Sequence, residues 1–130
     1  MSAKVKLALG PVVAGFPSPA EDVIDRNLNL QELLVRKPAA TFFVRVSGES
    51  MLGAGINHDD ILVVDRSKEV EGDQIVVAAV NGEFTVKHLS RKGKRIFLVP
   101  ENVKYKTMEI TEGMDFEVWG VVTGVVRVLQ

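Results

Sequence analysis

Two residues of this 130-residue chain, Ser50 and Lys87, stand in settings that could make them a nucleophile and its base. Ser50 follows an apolar, β-branched run from Thr41 to Val46 and sits in the turn Ser47-Gly48-Glu49-Ser50-Met51, with Leu52, Gly53 and Gly55 just beyond. A serine delivered at the mouth of a strand lies close to backbone N–H groups, and two such groups aimed at one point can stabilise an oxyanion. The N–H groups of Glu49 and Ser50 are the candidates. The plain alternative is a turn serine that bonds its own backbone. Lys87 lies in Phe84-Thr85-Val86-Lys87-His88-Leu89, where alternation puts Thr85, Lys87 and Leu89 on one face and Phe84, Val86 and His88 on the other. Lysine is rarely buried, and the plain alternative here is a side chain that snorkels to water from a sheet edge. An ordinary lysine, with a pKa of about 10.4, is neutral in only about one molecule in 2,500 at pH 7. Burial lowers that value, and a lowering of about 3 units costs roughly 4 kcal/mol, which a core of this size can supply. A neutral Lys87 near Ser50 could take the hydroxyl proton, as in Ser–Lys dyads. Thr85, two residues away on the same face, could orient the amine. Taken singly, both residues keep both readings.

The elements that would position them are strands. The pattern predicts strands near 41–47, 61–65, 74–80, 83–89, 95–100, 107–110 and 116–128. Asn81-Gly82 between two of them is a strong hairpin signal. Ile75-Val76-Val77-Ala78-Ala79-Val80 reads as a strand covered on both faces. The last run, with Trp119, Val121 and Val125, is long enough to pass through two sheets or to bend at Gly120 and Gly124. Closely spaced short strands predict a compact, mostly β domain of twisted sheets with a partial barrel. Ahead of it, Ser18-Pro19-Ala20-Glu21 reads as the start of a short helix running to about Arg26. Asn29, with Glu32 three residues on, opens a second that carries Leu30, Leu33 and Leu34 toward the core and stops before Pro38. Residues 1–17 show neither periodicity. Pro11-Val12-Val13-Ala14-Gly15-Phe16-Pro17 is extended in character and suits a groove or a sheet edge. The organisation expected is an arm over 1–17 and one domain over 18–130.

Composition narrows the classes. One domain of this length buries roughly two-thirds of its unfolded surface, and 46% hydrophobic residues argue against disorder. With no cysteine, a disulfide scaffold, a Cys-ligated metal and a thiol nucleophile are excluded. A net charge of −1 gives no global positive field toward nucleic acid. No apolar run reaches the 18 or so residues of a membrane helix, so a soluble, cytoplasmic protein without membrane contact is expected. His58-Asp59-Asp60 could hold a metal, but a polar turn is the commoner meaning, and no metal or cofactor is expected. Arg91-Lys92-Gly93-Lys94-Arg95 reads as a solvated hairpin tip rather than a phosphate site. His88 falls on the face opposite Lys87 and is not made a third member of the dyad. Trp119 fits a core or a dimer interface.

Ser47-Gly48-Glu49-Ser50-Met51 followed by Glu83-Phe84-Thr85-Val86-Lys87, with Ala14-Gly15 upstream, resembles the LexA-like self-cleaving serine peptidases. Gly15-Phe16-Pro17-Ser18-Pro19-Ala20, Pro38-Ala39-Ala40-Thr41-Phe42-Phe43-Val44, Gly55-Ile56 with Leu62-Val63-Val64-Asp65, and Trp119-Gly120-Val121-Val122 look like the UmuD-type branch of that family. The likeness runs from about residue 11 to the end. It implies a small, mostly β fold in which Ser50 attacks a bond of the chain's own arm, here Ala14–Gly15, with Lys87 as the base. It further implies a homodimer, induction by DNA damage (the SOS response), and cleavage stimulated by a RecA–single-stranded-DNA filament. The shortened form would then join an UmuC-type translesion polymerase subunit, without sequence-specific DNA binding of its own. With only 14 residues before the expected bond, no helix-turn-helix domain is expected ahead of it, and the UmuD type is expected rather than a complete LexA. His58-Asp59-Asp60 stands where the family usually has an Asp-Gly-Asp-like turn, a departure expected to be harmless.

The mechanism expected runs from arm to dyad. The segment 12–16 lies in a groove, Ser50 attacks the Ala14 carbonyl, the turn N–H groups hold the oxyanion, and Lys87 passes the serine proton to the Gly15 amine. Tethering raises the effective concentration of the bond. Three other classes stay in view: a non-catalytic dimeric polymerase-binding module, a LexA-like repressor fragment lacking its DNA-binding domain, and a signal peptidase, which the lack of a membrane anchor disfavours.

Overall fold

The computed structural model describes residues 5–8, 14–15 and 25–130. They belong to two compact units, Met1–Arg36 and Lys37–Gln130.

In the first unit, β1 (Val5–Ala8) pairs antiparallel with β2 (Asp25–Leu28), Val5 opposite Leu28 and Ala8 opposite Asp25. This corrects two expectations. The segment before residue 17 contains a strand, and Asp25 and Arg26 lie in its partner rather than at the end of a helix. Cross-strand pairing gives these short segments backbone partners that local propensity does not reveal. The helix start at Ser18, Pro19 and Glu21 lies outside the described residues. The second helix forms as α1 (Leu30–Leu34), where the Asn29 side chain caps by accepting from the Glu32 N–H at 3.2 Å. Its leucines do not reach a core: Leu30 and Leu33 are 57% and 55% exposed. A helix of five residues is too short to present a continuous apolar stripe.

The second unit opens with a 3-10 turn at Pro38–Ala40 and continues into a seven-stranded sheet. The strands are β3 (Thr41–Arg45), β4 (Ile61–Asp65), β5 (Gln74–Val80), β6 (Glu83–Lys92), β7 (Arg95–Val99), β8 (Met108–Ile110) and β9 (Phe116–Val126), ordered β3-β4-β9-β5-β6-β7-β8 with every neighbour antiparallel. Among the described residues the barrel is not closed, and β3 and β8 are the outer strands of the sheet. The β9 strand joins two halves. Its first part pairs with β5 and its second with β4, and the register slips once in each ladder, beside Gly120 and Gly124. Gly120 is required by proximity: a Cβ there would meet Val64 Cγ1 at 2.7 Å and the Asp65 carbonyl oxygen at 2.9 Å.

The central strand β5 is buried on both faces, as its unbroken apolar run predicts. Val77 and Ile75 join a cluster around Met51, Ile56, Leu62 and Val64, while Val76, Ala78 and Val80 join another around Leu89, Leu98 and Val121. The β5–β6 hairpin turns on Asn81 (φ 49°) and Gly82 (φ 84°), both left-handed, which is the type I′ geometry this dipeptide favours. That turn fixes the register that places Lys87 opposite the fully buried Val76.

Candidate active site

Strand β6 and the loop after β3 bring Lys87 and Ser50 together across 37 positions of sequence, with Nζ of Lys87 3.0 Å from Oγ of Ser50. Thr85, one alternation back on β6, accepts a hydrogen bond from the same Nζ at 2.6 Å. Burial holds the Lys87 amine below the ordinary lysine range. Among the described residues no carboxylate lies within ion-pair distance of it to restore the charge. A neutral amine here would keep an N–H for Thr85 and aim its lone pair at the Ser50 hydroxyl, which is the arrangement a general base needs.

The loop that carries Ser50 is held on several sides. Gly48 has φ 98°, a conformation that suits glycine, and its N–H donates to Nδ1 of His58 at 3.0 Å. Met51, 2% exposed, drives its side chain into the cluster of Val46, Ile56 and Leu62. The chain then tightens into a 3-10 turn at Leu52–Ala54. From the far side, the segment after β7 clamps the loop. Glu101 N–H donates to the Ser50 carbonyl at 2.9 Å, Gly53 N–H donates to the Glu101 carbonyl at 2.7 Å, and Asn102 Nδ2 donates to the Glu49 carbonyl at 2.8 Å. A side chain at Gly53 has no room, since its Cβ would stand 2.7 Å from the Glu101 carbonyl oxygen. With the loop carbonyls engaged this way, the N–H groups of Glu49, Ser50 and Met51 meet no acceptor among the described residues. They are free to face a developing oxyanion.

Phe84, Thr85 and Lys87 form a wall between two depressions. One, of about 190 Å³, is lined by Val44, Ser50, Met51 and Val86; the other, of about 430 Å³, by Leu98, Tyr105, Met108 and Met114. Together they offer a cleft of mixed polarity beside the Ser50 hydroxyl and the Lys87 amine. Ala14 and Gly15, in the first unit, are exposed and lie at a bend.

The remaining singled-out residues take structural places. Asp60 is buried and receives two hydrogen bonds from the Arg127 guanidinium, at 2.7 and 2.6 Å, and one from the Asn57 N–H at 2.7 Å. Arg127 holds its carboxyl below the usual carboxylate range. Asp59 sits at φ 71°, a conformation glycine adopts more readily. His88 faces away from the dyad, toward Glu101. In the 91–95 hairpin, Arg95 makes a double contact with Glu109 at 2.8 Å. Trp119 is half-buried, edge-on to Phe42 and Phe84, with the Arg66 guanidinium 4.6 Å over its ring. Sequence reasoning missed His58, Glu101 and Asn102 as supports of the Ser50 loop. No spacing or periodicity links residue 102 to residue 49, so no signal for them existed.

The family model described as Peptidase S24-like matches residues 7–123. Protein SamA of Salmonella typhimurium (strain LT2) is 46% identical over 115 residues, which cover 88% of this chain and 79% of that protein. Protein MucA of Salmonella typhimurium is 46% identical over 113 residues, covering 86% of this chain and 77% of that protein. The LexA repressor of Vibrio cholerae is 36% identical over 120 residues, covering 92% of this chain and 57% of the repressor.

Proposed function

The chain belongs to the S24-like peptidases, and on that premise we propose that it is a self-cleaving serine peptidase of the DNA-damage response that cuts its own Ala14–Gly15 bond. The observation that carries the reading is the 3.0 Å contact between Lys87 Nζ and Ser50 Oγ, made by an amine that burial disposes to be neutral. Ser50 Oγ attacks the Ala14 carbonyl carbon as Lys87 takes its proton. The tetrahedral oxyanion is met by the N–H groups of the Glu49-Ser50 turn. Collapse breaks the C–N bond, Lys87 returns the proton to the Gly15 amine, and water, deprotonated by the same amine, releases the acyl group from Ser50. Thr85 keeps the amine on line throughout. Small Ala14 suits a tight cleft, and Gly15 presents no side chain to the nucleophile. No metal is required.

The biological setting proposed is the one the sequence resemblance implies. The protein acts as a homodimer, is stimulated by a RecA–single-stranded-DNA filament, and in its shortened form serves an UmuC-type translesion polymerase in the cytoplasm. Such an activator would work by favouring the docked state of the arm.

Intact-mass spectrometry tests the chemistry. The full chain is incubated across a pH series, alone and with RecA, ATP and single-stranded DNA, beside Ser50→Ala and Lys87→Ala. A product beginning at Gly15, absent from both variants, is expected. An uncut chain under every condition would remove the peptidase claim and leave a non-catalytic, dimeric polymerase-binding module.

A further inference from the structure

Strand β6 contributes more to the dyad than its lysine. The residue after Lys87, His88, points to the other face of the strand, where its Nε2 lies 2.8 Å from Oε1 of Glu101. Glu101 is the residue whose backbone N–H holds the Ser50 carbonyl at 2.9 Å and whose carbonyl accepts from Gly53 at 2.7 Å. The four residues therefore close a circuit: Lys87 to Ser50 at the reacting atoms, Ser50 to Glu101 through the backbone, Glu101 to His88 through side chains, and His88 to Lys87 through a peptide bond. Both atoms of the dyad are thus referred to one strand. Lys87 is fixed by the β5–β6 register, and Ser50 by a clamp that the neighbouring residue of the same strand anchors.

The geometry points to His88 as a positioning residue for the nucleophile, acting through Glu101. This rests on the serine-peptidase reading of the site. His88 touches no reacting atom, and its side chain is only 22% exposed, so the contact is sheltered on the strand side. Its Nδ1 is buried without a partner among the described residues, and Nε2 is the ring nitrogen that meets the Glu101 carboxylate. Glu101 follows Pro100 at the end of β7, in a stretch without regular structure. Without the anchor, that stretch keeps Asn102 on the Glu49 carbonyl but loses the hold on its own side chain. Misplacement of a reacting group by about 1 Å costs about a hundredfold in rate, so a looser clamp is expected to cost about tenfold.

The test uses the full chain and single-turnover self-cleavage followed by intact mass across pH. His88→Ala is expected to lower the alkaline plateau rate about tenfold while leaving the midpoint of the pH rise unchanged. His88→Gln, whose amide can reach the Glu101 carboxylate from the Nε2 position, should restore the rate to within about threefold. Glu101→Ala should lose as much as His88→Ala, and the double variant no more than either, because the two act as one unit. A His88→Ala chain that cleaves at the parent rate, or a His88→Gln chain as slow as His88→Ala, overturns the assignment. A second readout does not need cleavage. In the Ser50→Ala background, adding His88→Ala should speed hydrogen exchange at the Glu101 and Gly53 amides, and unchanged exchange there overturns the clamp. A parent chain that never cleaves counts against the peptidase reading, and the exchange measurement still decides the clamp.

Discussion

Replacing Gly53 with alanine puts the positioning of Ser50 to a direct test. The new Cβ would stand 2.7 Å from the Glu101 carbonyl oxygen and 3.4 Å from the carbonyl carbon and Cβ of the same residue. Carbon and oxygen normally approach to about 3.3 Å, so a gap of roughly 0.6 Å has to open. Neither side can rotate away, because the clashing oxygen is backbone and Gly53 lies in the 3-10 turn. Gly53 is not among the left-handed glycines, so the strain is purely one of space. The opening is passed on, since Glu101 also holds the Ser50 carbonyl at 2.9 Å. If Ser50 moves with the gap, its 3.0 Å contact with Lys87 stretches to roughly 3.6 Å, where a side-chain hydrogen bond is no longer made. Overpacking of this kind costs about 1–3 kcal/mol of stability, and the misplaced nucleophile about 10- to 100-fold in rate. Gly55→Ala is the control. At φ 81° with open space around it, alanine there costs about 1–2 kcal/mol in backbone strain without pressing on Glu101. The assay is the first-order rate of appearance of the fragment beginning at Gly15, read by mass and compared with thermal melting of each variant in a Ser50→Ala background. Gly53→Ala should lose cleavage well beyond its loss of stability, whereas Gly55→Ala should cleave within about threefold of the parent. Equal cleavage in the parent and Gly53→Ala, or equal losses in the two variants, would show that Glu101 does not position Ser50.

Further outcomes follow from the same contacts. Because burial lowers the Lys87 pKa in the fold, the penalty on its charged form is full below the folded value and fades as pH rises toward the unfolded value. Self-cleavage should therefore climb with pH and level off once the amine is neutral. Lys87→Met should melt above the parent at neutral pH, with the gap closing at alkaline pH in calorimetric scans. His58→Ala removes the acceptor for Gly48 N–H and should slow cleavage roughly tenfold, while His58→Asn, which keeps an acceptor at the Nδ1 position, should cleave close to the parent rate. Arg127→Met strips the buried Asp60 of its guanidinium. In the parent, the depressed Asp60 pKa contributes stability that is present above the unfolded value and lost as pH falls through the folded one. The melting temperature of Arg127→Met should thus fall at pH 7, and its deficit should shrink below about pH 4.

The β architecture of the second unit is legible in the sequence because its signals are local. Period-two alternation, the Asn81-Gly82 turn and the unbroken apolar run of β5 each specify backbone geometry within a few residues, and the structure has strands over those runs and a tight turn at Asn81-Gly82. It also singled out Ser50, Lys87 and Thr85, since a lysine in an apolar strand and a serine after a glycine turn are locally anomalous. What lay beyond it was whatever depends on a partner distant in the chain. The pairing of β1 with β2 was invisible because neither strand has a pattern of its own. The exposure of Leu30 and Leu33 was misread because an apolar helix face says nothing of what covers it. The 3.0 Å gap of the dyad, the buried Asp60–Arg127 pair and the clamp from Glu101 and Asn102 were decided only in three dimensions. They rest on hydrogen bonds across 37 to 67 positions of sequence, and only the folded sheet brings those groups within reach.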